Sequence, residues 1–293
     1  MNWWKSLKGK SAVCEPLSRL TSFKIGGKAQ YLAHPGDVDE LRHILLAARR
    51  KKIRIHVLGA GSNLLIPDRG VKGLVICLDA AAFKKISFKG ARVEAGAGAG
   101  LAGLVRLAGT HSLSGFECLA GIPGTVGGSL VMNAGSWGGT IADRVDTVTV
   151  MSFNGCVKTI SKDSARFGYR SSSLSRYIVL GASFKLARGN AGTIGAAIRK
   201  NLALKKEQQD FSHPSAGCIF KNPPHASAGK LIDQCGLKGV RVGGAVVSSK
   251  HANFILNESN ASAADVKLLM RLVKGTVRKR FGVILKPEVK IWE

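Results

Sequence analysis

Acidic residues are scarce in this chain. Over 293 residues, 18 Asp and Glu face 44 Lys and Arg, a formal net charge of +26. An excess of that size favours partners carrying phosphate or carboxylate, and by itself does not choose among nucleic acid, anionic lipid and phosphorylated small molecules. Aromatic residues are also few, at 6%. Little aromatic interleaving of the basic residues argues against a stacking platform, so no nucleic-acid partner is expected. The densest basic run, Arg49-Arg50-Lys51-Lys52-Ile53-Arg54, reads as the solvated end of a helix, where cations suit the C-terminal dipole. No two of the six cysteines are spaced C-x2-C, and no histidine pair stands nearby at zinc-finger spacing; no metal site is expected. A Walker A loop is absent too. Met1-Asn2-Trp3-Trp4-Lys5 lacks the apolar core of a secretory signal, and scattered thiols in a chain this long read as reduced, so a cytoplasmic location is expected. The one uncharged run, Cys118 to Ala142, is rich in glycine and carries Pro123 and Asn133. That is poor material for a spanning helix, and it reads as a buried loop system without membrane insertion.

What is present is enough for a packed interior: 45% of residues are hydrophobic. Val38, Leu41, Ile44, Leu45 and Ala48 form one stripe and predict a helix over 37–50. Alternation over 53–58 predicts a strand, and 74–78, 91–95, 145–153 and 177–186 read as strands too. A helix is expected through about residue 110. Residues 191–209 look helical and basic, like a connector. Beyond a turn-rich stretch at 212–230, strands are expected at 244–247 and 253–257, then a long helix and a closing strand at 288–292. Ser262 can cap that helix, with Val266, Leu269, Leu272, Val273 and Val277 as its apolar stripe and Gly282 as its stop. The layout is α+β, with a larger region over 1–188 in two lobes (about 1–82 and 83–188), a linker at 189–196, and a smaller domain over 197–293.

Glycine is abundant, at 36 residues, and three glycine-rich loops stand out. Gly98-Ala99-Gly100-Leu101-Ala102-Gly103 fits G-x-G-x-x-G after a short strand. The acid expected about 20 residues on is poorly met, with Glu117 a loose candidate. Small residues there also suit close packing of a helix on a sheet. Gly59-Ala60-Gly61-Ser62-Asn63 follows a strand, and Gly121-Ile122-Pro123-Gly124-Thr125-Val126-Gly127-Gly128 lies in the uncharged run. Such loops free backbone N–H groups to face an anion. Residue types alone leave tight turns between strands as an equal reading.

The order of the motifs carries more weight. Leu58 to Leu65 and Gly121 to Gly128 resemble the two FAD-binding signatures of the UDP-N-acetylenolpyruvoylglucosamine reductases. The resemblance continues through Thr21-Ser22-Phe23-Lys24-Ile25-Gly26-Gly27, Met132-Asn133-Ala134-Gly135 and Phe167-Gly168-Tyr169-Arg170-Ser171-Ser172. Gly217-Cys218-Ile219-Phe220-Lys221-Asn222-Pro223, Ala228-Gly229-Lys230-Leu231-Ile232, Ser249-Lys250-His251-Ala252-Asn253-Phe254 and Pro287-Glu288-Val289 follow in order. At this length the chain is similar to the shorter type, which lacks an extra substrate loop.

The resemblance implies a fold, a reaction and a set of residues. The fold is a two-lobed FAD-binding region of the vanillyl-alcohol-oxidase/PCMH type plus a C-terminal α+β substrate domain. In the reaction, NADPH reduces FAD, which then delivers a hydride to the β-carbon of the enolpyruvyl ether of a UDP-sugar; a proton is added at the α-carbon. No side chain carries a hydride, so the flavin is required. Gly59, Ala60, Gly61, Ser62, Asn63, Gly121, Ile122, Pro123, Gly124, Gly127, Gly128, Asn133 and Ala134 are the expected cofactor contacts. Arg170 is expected to meet the substrate carboxylate. Cys218 stands where the family usually has serine and is the expected proton donor; a thiol gives up its proton more readily than an alcohol. Glu288 is the expected partner in polarising the carboxylate. Tyr169, Lys221, Asn222, Lys230, Lys250 and His251 are expected substrate contacts. The alternative is another FAD-dependent oxidase or reductase of the same fold acting on a different substrate.

Overall fold

The computed structural model describes residues 10–293. They form two compact units whose chain segments interleave. The first takes residues up to Val13, then Tyr31–Ala60 and Gly73–Lys205; the second takes Cys14–Gln30, Gly61–Lys72 and Lys206–Glu293. The contiguous division expected from sequence, 1–188 and 197–293, therefore differs from the packing. Phe23, Ile25 and Leu65 explain part of the difference, because they are buried in one core with Ile219, Phe220 and Val266. The expected linker at 189–196 falls largely inside a single helix, Ala191–Gln208.

In the first unit a five-stranded sheet runs in the order Val157–Ser161, Val145–Met151, Ile178–Lys185, Arg92–Gly96, Ile86–Lys89, antiparallel throughout. Ile55–Leu58 pairs in parallel with the end of Val71–Cys77. The helix Val38–Arg50 starts where Asp37 accepts a hydrogen bond from the Glu40 N–H (2.8 Å). It buries Leu41, Ile44, Leu45 and Ala48 and ends on Arg49 and Arg50, so hydrophobic period, cap and dipole agree.

The helix Leu101–Thr110 follows the strand Arg92–Gly96, whose neighbours are both antiparallel. Among the described residues no parallel strand–helix–strand unit surrounds the G-x-G-x-x-G sequence, which removes the dinucleotide reading. Glu117 is engaged locally, accepting from the Gly115 N–H at 2.7 Å. Gly98 is instead a packing glycine: an added Cβ would stand 1.8 Å from the Leu78 carbonyl oxygen.

The second unit holds a four-stranded antiparallel sheet in the order Ser215–Cys218, Phe254–Asn257, Ala245–Val247, Arg241–Val242. The helix Ala263–Phe281 opens with a capping box between Ser262 and Asp265 and closes on Gly282, whose φ of 69° suits glycine. Val266, Leu269, Met270, Val273 and Val277 are buried. Leu272 is 39% exposed, because it lies one position off the i, i+3, i+4, i+7 stripe that faces the sheet. The closing strand shortens to Lys290–Ile291, which pairs in parallel with Leu64–Leu65. Among the described residues no helix is long and apolar enough to cross a membrane.

Candidate functional site

The expected cofactor loops are shaped by close backbone contacts. In the first unit, Val126 and Gly127 donate to the Ala99 and Ala97 carbonyls, both at 2.9 Å, and Leu101 donates to Gly124 at 3.0 Å. A Cβ on Gly127 would sit 2.9 Å from that of Ala97, and one on Gly59 would sit 2.8 Å from Thr125 Oγ1. Gly59 thus lies directly against the 121–128 loop. Thr125 caps a short helix, Val126–Met132, accepting from the Gly128 N–H. The uncharged run is therefore partly helical rather than all loop.

In the second unit Gly61 adopts φ +64°, and a Cβ there would come within 2.3 Å of the Leu20 carbonyl oxygen. Only glycine suits both the left-handed backbone and that approach. Asn63 continues into the pairing with the C-terminal strand; its Nδ2 donates to the Glu288 carbonyl at 3.3 Å. Among the described residues, the N–H groups of Ala60, Gly61, Gly124 and Thr125 donate to no protein acceptor. Backbone donors at glycine-lined turns are the donor set a pyrophosphate requires, so these loops fit the FAD that the sequence implies.

Asn133, an expected cofactor contact, also has a part inside the protein. It ends the short helix in the left-handed region (φ 46°), buried. Its Nδ2 donates to the Gly168 carbonyl at 3.0 Å and its Oδ1 accepts from the Ala142 N–H at 3.3 Å. Gly168 and Ser171 pair with each other, making a two-residue turn of Tyr169 and Arg170. Arg170 has φ 52° and its guanidinium lies 5.5 Å over the Tyr169 ring. The Asn133 amide thereby fixes the turn that carries the expected carboxylate-binding residue.

Cys218 ends the strand Ser215–Cys218, opposite Phe254, after a break in register at which Gly217 takes φ 72°. It is half-buried against Val246, Phe254 and Leu256. The next residue, Ile219, accepts at its carbonyl from the Glu288 N–H (2.8 Å), and Lys221 N–H donates to the Lys286 carbonyl (2.9 Å). These bonds set the 286–288 segment against the 219–221 segment, so Cys218 and Glu288 come from neighbouring segments of one unit.

Asn222 Oδ1 accepts from the Ala228 N–H at the start of the helix Ala228–Gln234. Together with exposed Lys230 it lines an open concavity of about 460 Å³. Lys250 and His251 sit on a loop anchored from below. Ser248, 1% exposed, accepts from both of their backbone N–H groups (3.1 and 3.0 Å) and donates to Asp210 at 2.6 Å. Burial would raise the Asp210 pKa, but hydrogen bonds from Ser212 and Ser248 and the Lys250 charge outweigh it and hold the carboxyl below its ordinary range. Burial lowers the His251 pKa, which favours the neutral ring. The Asn253 N–H donates to its Nδ1 (3.2 Å), which leaves the ring proton on Nε2.

Sequence reasoning missed Asp210 and Ser248, whose pairing across 38 positions left no local signature. It also missed Lys205, 5% exposed on the helix read as a basic connector. An added Cβ on Gly121 would meet the Lys205 Cδ at 2.9 Å, so this lysine backs the second glycine loop. Asn253 was visible within its motif, but without a role. Among the described residues no cluster of three or more His, Cys, Asp or Glu could hold a metal ion.

One glycine loop after a strand paired in parallel, another packed by an antiparallel sheet, and an α+β unit define the class: an FAD-binding-domain flavoprotein of the vanillyl-alcohol-oxidase/PCMH type. Residues 29–161 match the FAD binding domain family, and residues 208–292 match the UDP-N-acetylenolpyruvoylglucosamine reductase C-terminal domain. The UDP-N-acetylenolpyruvoylglucosamine reductase of Caldanaerobacter subterraneus subsp. tengcongensis is 43% identical over 286 residues, covering 97% of this chain and 94% of that one. That of Synechococcus sp. is 41% identical over 281 residues, 94% of this chain and 91% of its own. The crystal structure of the reductase from Thermus caldophilus superposes with a TM-score of 0.84 at 37% identity, covering 98% of this chain and all of that one. A 6-hydroxy-D-nicotine oxidase from Arthrobacter nicotinovorans shares the fold alone, with a TM-score of 0.64 at 14% identity over 96% of this chain and 87% of its own. The chain belongs to the UDP-N-acetylenolpyruvoylglucosamine reductase family.

Proposed function

We propose that this chain reduces UDP-N-acetylglucosamine enolpyruvate to UDP-N-acetylmuramate in peptidoglycan precursor synthesis in the cytoplasm, with NADPH as the hydride source. The observation that carries the reading is the 2.8 Å bond from the Glu288 N–H to Ile219, which puts a carboxyl and the Cys218 thiol on adjacent segments in a member of this family.

When bound, FAD supplies the hydride chemistry that no side chain can. In the two glycine loops the backbone N–H groups of Ala60 and Gly61, and those of Gly124 and Thr125, would hold its pyrophosphate, with Lys205 supporting the second loop. Arg170 binds the substrate carboxylate and stabilises the negative charge that grows there as the β-carbon is reduced. Glu288 assists that polarisation. Cys218 then gives its proton to the α-carbon: the S–H bond breaks, a C–H bond forms, and the electron pair stays on sulfur until solvent reprotonates it. Lys221, Asn222, Lys230 and Lys250 bind the diphosphate-sugar, with Tyr169 and neutral His251 as hydrogen-bond donors.

The two halves of the reaction separate in the test. In Cys218→Ala, NADPH should still bleach the flavin, whereas the enolpyruvyl sugar should no longer restore its absorbance. Equal loss of both halves would make Cys218 a structural residue. Cys218→Ser should keep measurable turnover.

A further inference from the structure

The strand that carries Cys218 is irregular on both sides of the thiol. Before it, the register with Phe254–Asn257 slips between Ser215 and Cys218. After it, the ladder ends and a side chain replaces the next rung. Asn253, 3% exposed, accepts at Oδ1 from the Phe220 N–H (3.0 Å) and donates from Nδ2 to the Phe220 carbonyl (2.8 Å). Its own carbonyl accepts from the Ile219 N–H at 2.8 Å. A carboxamide is the side chain that offers donor and acceptor side by side, as an extended residue presents them. On the far side, Ile219 accepts from the Glu288 N–H. Asn253 therefore clamps the dipeptide that separates Cys218 from the 288 segment.

We propose that Asn253 is a positioning residue for proton delivery by Cys218, an inference that rests on Cys218 being the donor. Reduction of the enolpyruvyl ether creates a stereocentre at the α-carbon. A thiol held on one side delivers its proton to one face. With the clamp released, the thiol drifts and water protonates the carbon from either face. A displacement of about 1 Å at a reacting group costs on the order of 10²-fold in rate.

The test is Asn253→Asp in the flavin-loaded enzyme. The aspartate keeps the shape and the acceptor for Phe220 N–H but at neutral pH sets a second acceptor against the Phe220 carbonyl. Flavin reduction by NADPH should stay within about twofold of wild type, while reoxidation by the enolpyruvyl sugar should slow by roughly 10²-fold. The product should contain both lactyl epimers where wild type gives one. Lowering the pH until the aspartic acid protonates should restore rate and epimer ratio relative to wild type at the same pH, because its O–H can then donate to Phe220. Wild-type rate with a single epimer would overturn the inference, as would equal loss of both half-reactions. If the aspartate variant does not fold, Asn253→Ser takes its place; failure of both to fold would make Asn253 a stability residue only and also overturn it. A wild-type enzyme whose reduced flavin the enolpyruvyl sugar does not reoxidise would instead sink the proposed function itself.

Discussion

Ser248→Ala should destabilise the second unit more than the loss of one hydroxyl suggests. Ser248 is 1% exposed and bonds to Asp210 at 2.6 Å, while accepting from two backbone N–H groups. A hydrogen bond to a charged group contributes about 1.5–3 kcal/mol, and an orphaned buried donor costs about 1–3 kcal/mol. Lys250 is exposed, so water can satisfy its N–H; the His251 N–H, half-buried, is the costlier loss. These are not additive, and roughly 2–4 kcal/mol is the expected total. At about 3 °C per kcal/mol, calorimetry should record a melting point lower by about 10 °C. Asp210 adds a pH signature. Its folded pKa lies below the ordinary carboxylate value, so its contribution is present above that value and lost as pH falls through the folded one. Removing Ser248 should shrink that acid limb. The substitution should also raise KM for the UDP-sugar more than it lowers kcat, because the loop bearing Lys250 and His251 loosens. A stability loss under about 0.5 kcal/mol, or additivity with Asp210→Asn in a double-mutant cycle, would refute the coupling.

Gly61→Ala should reduce flavin retention, seen as weaker absorbance near about 450 nm. Its left-handed backbone costs an alanine about 1–2 kcal/mol, before the clash with Leu20. Gly100→Ala, with open space around its Cβ and φ −70°, should bind flavin and NADPH as wild type does; loss of NADPH affinity there would revive the dinucleotide reading. Alkylation at pH 8 followed by mass spectrometry should modify exposed Cys14 and Cys156 first and spare Cys77, which burial pushes to about 12. Early labelling of Cys77 would contradict its placement. Burial depresses the His251 pKa, so the unfolded chain takes up its proton first; stability should fall as pH drops below about 6.5. A curve left unchanged by His251→Asn would count against that assignment.

Much of the fold could be read where local chemistry repeats itself. The helices at 38–50 and 263–281 declared their period, caps and stops, and the structure keeps them within a residue or two. The strands Lys10–Pro16 and Lys28–His34 were not legible, because neither alternates cleanly between buried and exposed positions. The helix Val126–Met132 hid behind two glycines, poor helix formers, of which Gly127 packs on Ala97. The glycine loops and Cys218 were recognisable as motifs. Their supporting bonds were not: Asn133 and Asn253 stood in motifs and Asp210 and Ser248 did not, but all four are buried polar residues whose partners are fixed by tertiary packing. A single sequence shows the amide but not the carbonyl it will meet.

The pairing of Lys290–Ile291 with Leu64–Leu65 bears on how this chain matures during translation. Asn63 and Glu288, joined by a hydrogen bond, are 225 positions apart. A ribosome has nearly finished its work on this stretch before the first glycine loop gains its neighbouring strand. Flavin capture should therefore wait until residues 288–291 have emerged, and a nascent polypeptide stalled short of residue 288 should be colourless.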